Sequence, residues 1–389
     1  MHIAIFIDQP VSTLGGVQTS VVLQKKYLEK LGHTVTICQP APRINQVTVG
    51  GINIPSYGIG SEYRAYIPTK RRLHRLAQLF KSLPPVDIVH VQADYWGAIS
   101  GLFFAKSHHI PVVMTCHTNV EIGMRQVVGT LGMKVLTLYF SILTARLVGG
   151  QHLGSWTDPW ALTRHLAQWA QLVLAPSRHF AKHLEKLGVA KHVTVMSNGI
   201  DDDSLDHIQR RPSKTPSFVW LGRMSREKRL VEFMQAIDMS QVPAQFEIYG
   251  DGAMRAEAES YVQKHGLSSR VNFHGKLSHN EVLNGLASAD VYVQTSIGFE
   301  TQGMTVFEAM SLGTPAIICD PNIADDFPPE HYWAVKSDTI ADLSATLNRA
   351  YQDLIQHKRQ RVVLGKDYNF RQSAMTAQAT KLYASILSR

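Results

Sequence analysis

Cysteine is scarce in this chain, and its scarcity excludes a class of protein. Three cysteines in 389 residues, Cys38, Cys116 and Cys319, are too few and too far apart for a disulfide framework. Each lies in an apolar, strand-like run and reads as a reduced, buried thiol. No H-E-x-x-H, C-x-x-C or clustered His/Asp set offers a metal site. The G-x-S-x-G nucleophile elbow is absent, and no G-x-G-x-x-G supports a nicotinamide or flavin cofactor. The longest largely apolar stretch, Val135 to Leu143, falls below the ~20 residues a membrane span needs, and Arg146 closes it. Met1–Asp8 lacks a basic region and a long apolar run, so no signal peptide is expected. The expectation is a soluble or peripheral protein.

Acidic residues are short in one half. Residues 1–200 hold 19 Lys and Arg against 8 Asp and Glu, and residues 201–389 hold 20 against 23. The halves therefore carry +11 and −3, within a net charge of +8. A basic half facing an anionic partner is implied. Nucleic acid is the first candidate, but no recognised binding motif or aromatic-plus-basic platform occurs. An anionic membrane surface fits as well and needs no groove-reading element.

What is present is alternation. Strand-like runs at His2–Ile7, Thr34–Cys38, Ile88–Val91, Val112–Thr115, Leu172–Ala175 and Val193–Met196 are separated by amphipathic stretches at Val17–Leu31, Lys70–Lys81, Trp96–Lys106, Trp160–Gln168 and Arg178–Leu187. A polar stretch from Ser197 to Pro216, with Pro212 inside it, reads as a linker. Alternation then resumes through Ser217–Leu221, Gln245–Tyr249, Val271–Phe273, Asp290–Gln294 and Ala316–Cys319. The fold class is α/β, with two Rossmann-like, doubly wound domains facing across a cleft. The boundaries are 1–196, a linker at 197–216, 217–368, and a C-terminal helical segment at 369–389 long enough to pack back on the first domain.

Five constellations carry chemistry. In Ser296-Ile297-Gly298-Phe299-Glu300-Thr301-Gln302-Gly303-Met304-Thr305-Val306-Phe307-Glu308, a glycine-bearing loop runs from a strand into a helix, whose free N–H groups and dipole suit an anion. Glu300 and Glu308 flank that anion site. Leu14-Gly15-Gly16 after the first strand is either a second close-approach turn or an ordinary glycine turn. Gly222-Arg223 through Lys228-Arg229 places Arg223 and Lys228 in a βα loop suited to a diphosphate, with Arg226 and Arg229 as solvated charges. His117, with Glu121 nearby, leaves the end of an apolar strand on the cleft side, whereas His90 reads as a satisfied core histidine. Tyr249-Gly250-Asp251-Gly252 abuts a nucleotide or is simply a turn. Two basic amphipathic segments, Lys70–Lys81 and Ile122–Leu147, lie on a bilayer or pack on the sheet. The core is favoured for the Leu73 face, and the second stays open.

Together these motifs resemble the retaining glycosyltransferases of family four, which have the GT-B fold. The likeness rests on Glu300 and Glu308 with seven residues between them, the continuation Ala309-Met310-Ser311-Leu312-Gly313-Thr314-Pro315, and Gly222-Arg223 with Lys228. Ser197-Asn198-Gly199-Ile200-Asp201 is similar to an interdomain Pro-Asn-Gly-Ile-Asp with serine in place of the proline. Gly15-Gly16, Asp87 to Val91, His117 and Ala175-Pro176-Ser177 follow the family order, so the resemblance spans nearly the whole chain. Asp320 to Asp326 departs from a turn that is glycine-rich in many relatives.

The resemblance implies a nucleotide-diphosphate-sugar donor in the second domain and an acceptor in the first. Arg223 and Lys228 would neutralise the leaving diphosphate. The backbone of Gln302, Gly303 and Met304 would bind its phosphates, with Gly15, Gly16 and Gly250 beside the donor. Glu300 would hold sugar hydroxyls, Glu308 the ribose, and His117 the transferred sugar at its 6-hydroxyl. Retention of configuration without a metal or other cofactor follows from the same resemblance. Glu300-Thr301-Gln302-Gly303 with His117-Thr118-Asn119-Val120-Glu121 is similar to the subgroup that glycosylates membrane lipids, such as diacylglycerol glucosyltransferases and actinobacterial mannosyltransferases. That implies a lipid acceptor, docking on an anionic membrane through the basic domain, and a peripheral place at the inner face of the cell membrane. UDP-glucose is favoured over GDP-mannose. The competing readings are a family member acting on a soluble or polysaccharide acceptor, a sugar epimerase of the same fold, and a non-catalytic polyanion or nucleic-acid binder.

Overall fold

A computed structural model describes residues 1–13, 15–42, 47–48, 51–59, 63–151, 155, 158–211, 213–358, 361–365 and 368–388. Leu14 of the glycine turn, Pro212 of the polar stretch and part of the acid-free stretch before Asp158 lie outside them. The chain divides into two units, Met1–Gly199 with Gln372–Arg389, and Ile200–Arg371.

The first unit is built on eight strands in the order Thr194–Val195, Leu172–Ala175, Val112–Thr115, Ile88–Gln92, His2–Ile7, Thr34–Ala41, Gly51–Pro55 and Val47–Thr48. All pair in parallel except the last two. Every residue of His2–Ile7 is buried, as a central strand covered on both faces requires. Phe6, Val91 and Leu102 pack on one face. Ile3, Ile5 and Leu28 pack on the other, together with Ala379 and Tyr383 from the last helix, Gln372–Leu387. Strand order reverses between His2–Ile7 and Ile88–Gln92, the switch point of a doubly wound sheet.

Two features of this unit go beyond the sequence reading. The strand Gly51–Pro55 is short and broken by glycine and proline. Its Gly51 (φ +144°) lies so near the neighbouring strand that a Cβ would stand 2.1 Å from the Ile37 carbonyl oxygen. The second is a helix from Val120 to Leu147, bent at Gly129 (φ +68°, ψ 176°). Its Val128–Leu147 part is long and apolar enough to cross a membrane. That corrects the sequence reading, which counted only the uninterrupted run Val135–Leu143. Lys134 breaks the run but not the helix.

The second unit has six parallel strands in the order Val271–Gly275, Gln245–Tyr249, Ser217–Leu221, Val291–Gln294, Ala316–Ile318 and Tyr332–Ala334. Its switch point falls between Ser217–Leu221 and Val291–Gln294. The chain enters and leaves this unit side by side, with the Ile200 N–H donating to the Phe370 carbonyl at 2.8 Å. Much of the polar stretch after Ser197 lies on the unit. Asp202–Asp206 is a short helix paired to Arg371, and the N–H groups of Gln209 and Arg211 donate to Asn284 and Ser288, each at 2.8 Å.

Candidate functional site

In the second unit the candidate residues leave the C-terminal ends of the two strands flanking the switch point, where ligands of such sheets bind. Beyond Leu221 the chain turns through Gly222–Ser225 into the 3-10 turn Arg226–Lys228. Gly250 (φ +125°) packs on this turn so tightly that a Cβ would sit 1.9 Å from the Gly222 carbonyl oxygen. Met224 N–H donates to the Asp251 carbonyl at 2.8 Å. The Tyr249–Gly252 glycines therefore have a packing reason, holding the Gly222 loop in place.

The loop after Gln294 is tied down just as closely. Trp220 Nε1 donates to Thr295 Oγ1 at 2.9 Å, and that hydroxyl donates to the Lys228 carbonyl at 2.5 Å. Gln294 Nε2 donates to the Ser296 carbonyl at 2.7 Å. Asp320, 1% exposed, accepts from Gly298 N–H at 2.7 Å and from Asn322 N–H at 3.0 Å, where it caps the turn Pro321–Ala324. In the segment where the sequence departs from the glycine-rich family pattern, a buried carboxylate thus anchors the Gly298 loop. Sequence reasoning missed Trp220, Gln294, Thr295 and Asp320, because none belongs to a motif and only tertiary contact brings them together.

Within this frame Lys228 and Glu300 are hydrogen-bonded to each other, and Ser296 Oγ donates to the same carboxylate oxygen at 3.2 Å. Their side chains are 21% and 18% exposed. They line a small open pocket together with Tyr292, Gly303, Met304 and Thr305. Gly303 (φ +73°) begins the helix Met304–Ser311, which has no side-chain cap and no acidic residue in its first turn. A cation and an uncapped helix start on one pocket make an anion site.

Glu308 lies further into that helix and is 8% exposed. Burial pushes its carboxyl up to about 7. Among the described residues its side chain makes no hydrogen bond, and its one ion-pair neighbour is His279 Nε2 at 3.9 Å. His279, missed in the sequence, is itself held below the ordinary histidine range by burial. A buried carboxylate left without donors is suited to receive two from a ligand diol.

In the first unit His117 follows the strand Val112–Thr115 and is 9% exposed. Its Nε2 contacts Gln92 Oε1 at 2.9 Å, and burial lowers its pKa to about 4, so the imidazole is neutral. It lines a narrow cleft with Ser20, Gln92, Thr115, Asn198 and Gly199. The helix Gly16–Lys30 begins without a side-chain cap. Gly15 is in extended backbone, and a Cβ there would meet only the flexible tip of Gln18. Asp8, also missed, accepts from the N–H groups of Asp94, Tyr95 and Gly97 at 2.6–2.9 Å, and burial raises it to about 6. It holds the start of the helix Trp96–His108.

The expected residues are thus only partly gathered. Lys228, Glu300, Gly303 and Met304 share one pocket. The side chain of Arg223 is 57% exposed and reaches Glu227 at 3.9 Å, and it is not among the residues that line the Lys228 pocket. Arg229 is not a solvated charge. Its backbone is left-handed and its guanidinium donates to the carbonyls of Asp338, at 2.5 Å, and Thr295, at 3.5 Å. Glu121 pairs with Arg125 at 2.7 Å within its own helix.

Two parallel doubly wound units, the second with an anion pocket and a buried carboxylate at its switch point, define a GT-B glycosyltransferase that uses a nucleotide sugar. Models of Glycosyltransferase Family 4 and of Glycosyl transferases group 1 match residues 14–204 and 201–363, and the chain belongs to the family-four glycosyltransferases. It is 24% identical to alpha-monoglucosyldiacylglycerol synthase of Acholeplasma laidlawii, over 84% of this chain and 82% of that one. It is 25% identical to GDP-mannose-dependent alpha-mannosyltransferase of Mycolicibacterium smegmatis, over 82% and 80%. Among solved structures, sucrose-phosphate synthase from Thermosynechococcus elongatus superposes with a TM-score of 0.71 at 20% identity, covering 100% of this chain and 99% of that one.

Proposed function

We propose that the chain is a retaining hexosyltransferase that moves a sugar from a nucleotide diphosphate, UDP-glucose in preference to GDP-mannose, to a membrane lipid such as diacylglycerol or a glycolipid. The observation that carries the donor half is Glu308, a buried carboxylate without hydrogen-bond donors among the described residues, in a helix whose N-terminus lines the anion pocket. In this reading Glu308 accepts from the ribose hydroxyls and Glu300 from the sugar. Lys228, the more exposed Arg223 and the amides around Gln302 to Met304 meet the charge growing on the leaving diphosphate. Gly15, Gly16 and Gly250 contribute backbone beside the donor, and His117 holds the transferred sugar. The leaving phosphate takes the acceptor's proton as the acceptor attacks the same face. No resident metal ion is invoked. Both relatives are named for alpha products, and nucleotide sugars of this kind carry alpha-linked sugars, which supports retention.

The lipid half rests on the helix Val120–Leu147, which is amphipathic the wrong way round for water. Beyond Gly129 it exposes Leu131 (77%), Val135 (59%), Leu138, Tyr139 and Ile142. It turns Thr137, Ser141 and Thr144 inward, and among the described residues the hydroxyls of Thr137 and Ser141 have no partner. An apolar stripe on the water side suits the interface of a bilayer. Lys134 and Arg146 beside it, and no acidic residue from Ile122 to Thr157, suit an anionic one. One face of the helix packs in the protein, so it would lie in the membrane surface rather than cross it. Cosedimentation with anionic liposomes should be salt-sensitive, and equal binding to neutral liposomes, or none, would sink the lipid acceptor. A thermal-shift screen against UDP, GDP and ADP sugars tests the donor.

A further inference from the structure

Behind His117 a chain of buried polar side chains crosses the first unit. His117 Nε2 meets Gln92 Oε1 at 2.9 Å. The amide nitrogen of Gln92 donates to Gln24 Oε1 and, at 3.3 Å, to His90 Nδ1. Tyr383 of the last helix reaches the same His90 nitrogen with its hydroxyl at 2.8 Å, and His90 Nε2 contacts Thr115 Oγ1 at 2.7 Å. Gln24, His90, Gln92, Thr115 and Tyr383 are each less than a tenth exposed. In a water-poor interior every one of these donors must face an acceptor.

With the Gln24 and Gln92 amides placed as they stand, that requirement orders the protons along the chain. Gln24 presents an oxygen to Gln92, so Gln92 must turn its amide nitrogen there and its oxygen to His117. His117 Nε2 must then carry a proton. Tyr383 and Gln92 both aim donors at His90 Nδ1, so this nitrogen is the bare one and His90 donates from Nε2 to Thr115. Neither histidine has room for a second proton: burial lowers His90 to about 3 and His117 to about 4. Both are fixed as neutral Nε2–H tautomers.

We propose that Gln92, His90 and Tyr383 are positioning residues that hold the His117 ring in one tautomer and orientation for the transferred sugar. The sequence shows His90 only as a core histidine, and the last helix only as packing. The relay gives both a task, because Tyr383 fixes His90, His90 fixes the Gln92 amide, and Gln92 fixes His117. This rests on the reading of His117 as a sugar-contacting residue.

The test compares His117→Ala, Gln92→Leu, Gln92→Glu and Tyr383→Phe by donor KM, by kcat against pH, and by imidazole nitrogen chemical shifts of the histidine-labelled protein. Gln92→Leu removes the acceptor and is expected to lower kcat by roughly tenfold or more, with donor KM within about twofold. Tyr383→Phe is expected to lower kcat less and to move the His90 Nδ1 resonance. Gln92→Glu restores an acceptor but stabilises the imidazolium. Its kcat should recover at high pH and fall on the acid side, whereas the parent enzyme is expected to stay flat between pH 6 and 8 because burial holds His117 at about 4. A parent protein whose His117 carries its proton on Nδ1 overturns the relay, and that spectrum needs no variant. So does a Gln92→Leu enzyme with unchanged kcat while His117→Ala is impaired. A His117→Ala enzyme with unchanged kcat instead removes His117 from the reaction, and the relay's purpose with it.

Discussion

At the scale of single residues, the two carboxylates of the proposed donor site are held by opposite means. Glu300 is paired with Lys228, whereas Glu308 has, among the described residues, only His279 at 3.9 Å and is raised by burial to about 7. The raised pKa fixes a sign. The folded protein keeps the Glu308 proton to higher pH than the unfolded chain, so this residue's contribution to stability is full below the ordinary glutamate range and is lost as pH rises toward and through 7. Glu308→Gln should therefore raise the melting temperature at pH 8 while lowering nucleotide-sugar affinity, and a fall in both would refute the assignment. If ligand hydroxyls donate to the carboxylate, donor binding expels a proton. Affinity for UDP-glucose, measured by calorimetry, should then weaken by up to about tenfold per pH unit below 7 and level off above it. A pH-independent affinity between 5.5 and 8 would count against Glu308 as the ribose ligand.

At the scale of elements, the loops matter more than the strands they leave. Gly298 and Gly303 were legible as backbone freedom, and both have positive φ. What holds the Gly298 loop is Asp320, from a different strand end, through charge-assisted bonds to Gly298 and Asn322. Asp320→Ala should cost about 2 kcal/mol in denaturant unfolding and lower kcat, because the loop loses its anchor along with a helix cap. The helix beyond Gly129 shows the opposite relation of element to sequence. Its periodicity reads as ordinary amphipathicity, and only burial shows which stripe faces out. Leu131→Ser with Val135→Ser should weaken partition into anionic liposomes by roughly thirtyfold, at about 1 kcal/mol for each of the two side chains half-buried in the interface, while nucleotide-sugar thermal shifts stay unchanged. Undiminished partition would move the docking surface elsewhere.

At the scale of the whole molecule, the charge asymmetry and the interrupted chain path set the terms. The basic half belongs almost wholly to the first unit, which the chain leaves after Gly199 and re-enters at Gln372 to complete its core with Ala379 and Tyr383. Removing residues 372–389 should therefore unfold the first unit rather than trim a tail, and a cooperative transition of undiminished midpoint would contradict that. If the leaving diphosphate is met by Lys228, Arg223 and a helix start alone, turnover should be unchanged by a chelator of divalent cations, as a radiolabel transfer assay can show.

The order of alternating runs was enough to give the fold class, because a strand buried on both faces must be apolar throughout and a crossover helix must be amphipathic. The loops at residues 296–303 and 222–228 could be singled out as an anion site in expectation, because short loops at strand ends keep near neighbours near; that a diphosphate occupies it is the proposal. Periodicity could not supply what depends on residues far apart in the chain. Only packing put Lys228 onto Glu300, Asp320 under Gly298, and Tyr383 behind His90. The physical reason is that hydrophobic pattern is a property of each segment, whereas a hydrogen bond or an ion pair exists only once two segments have been brought within about 3 Å of each other.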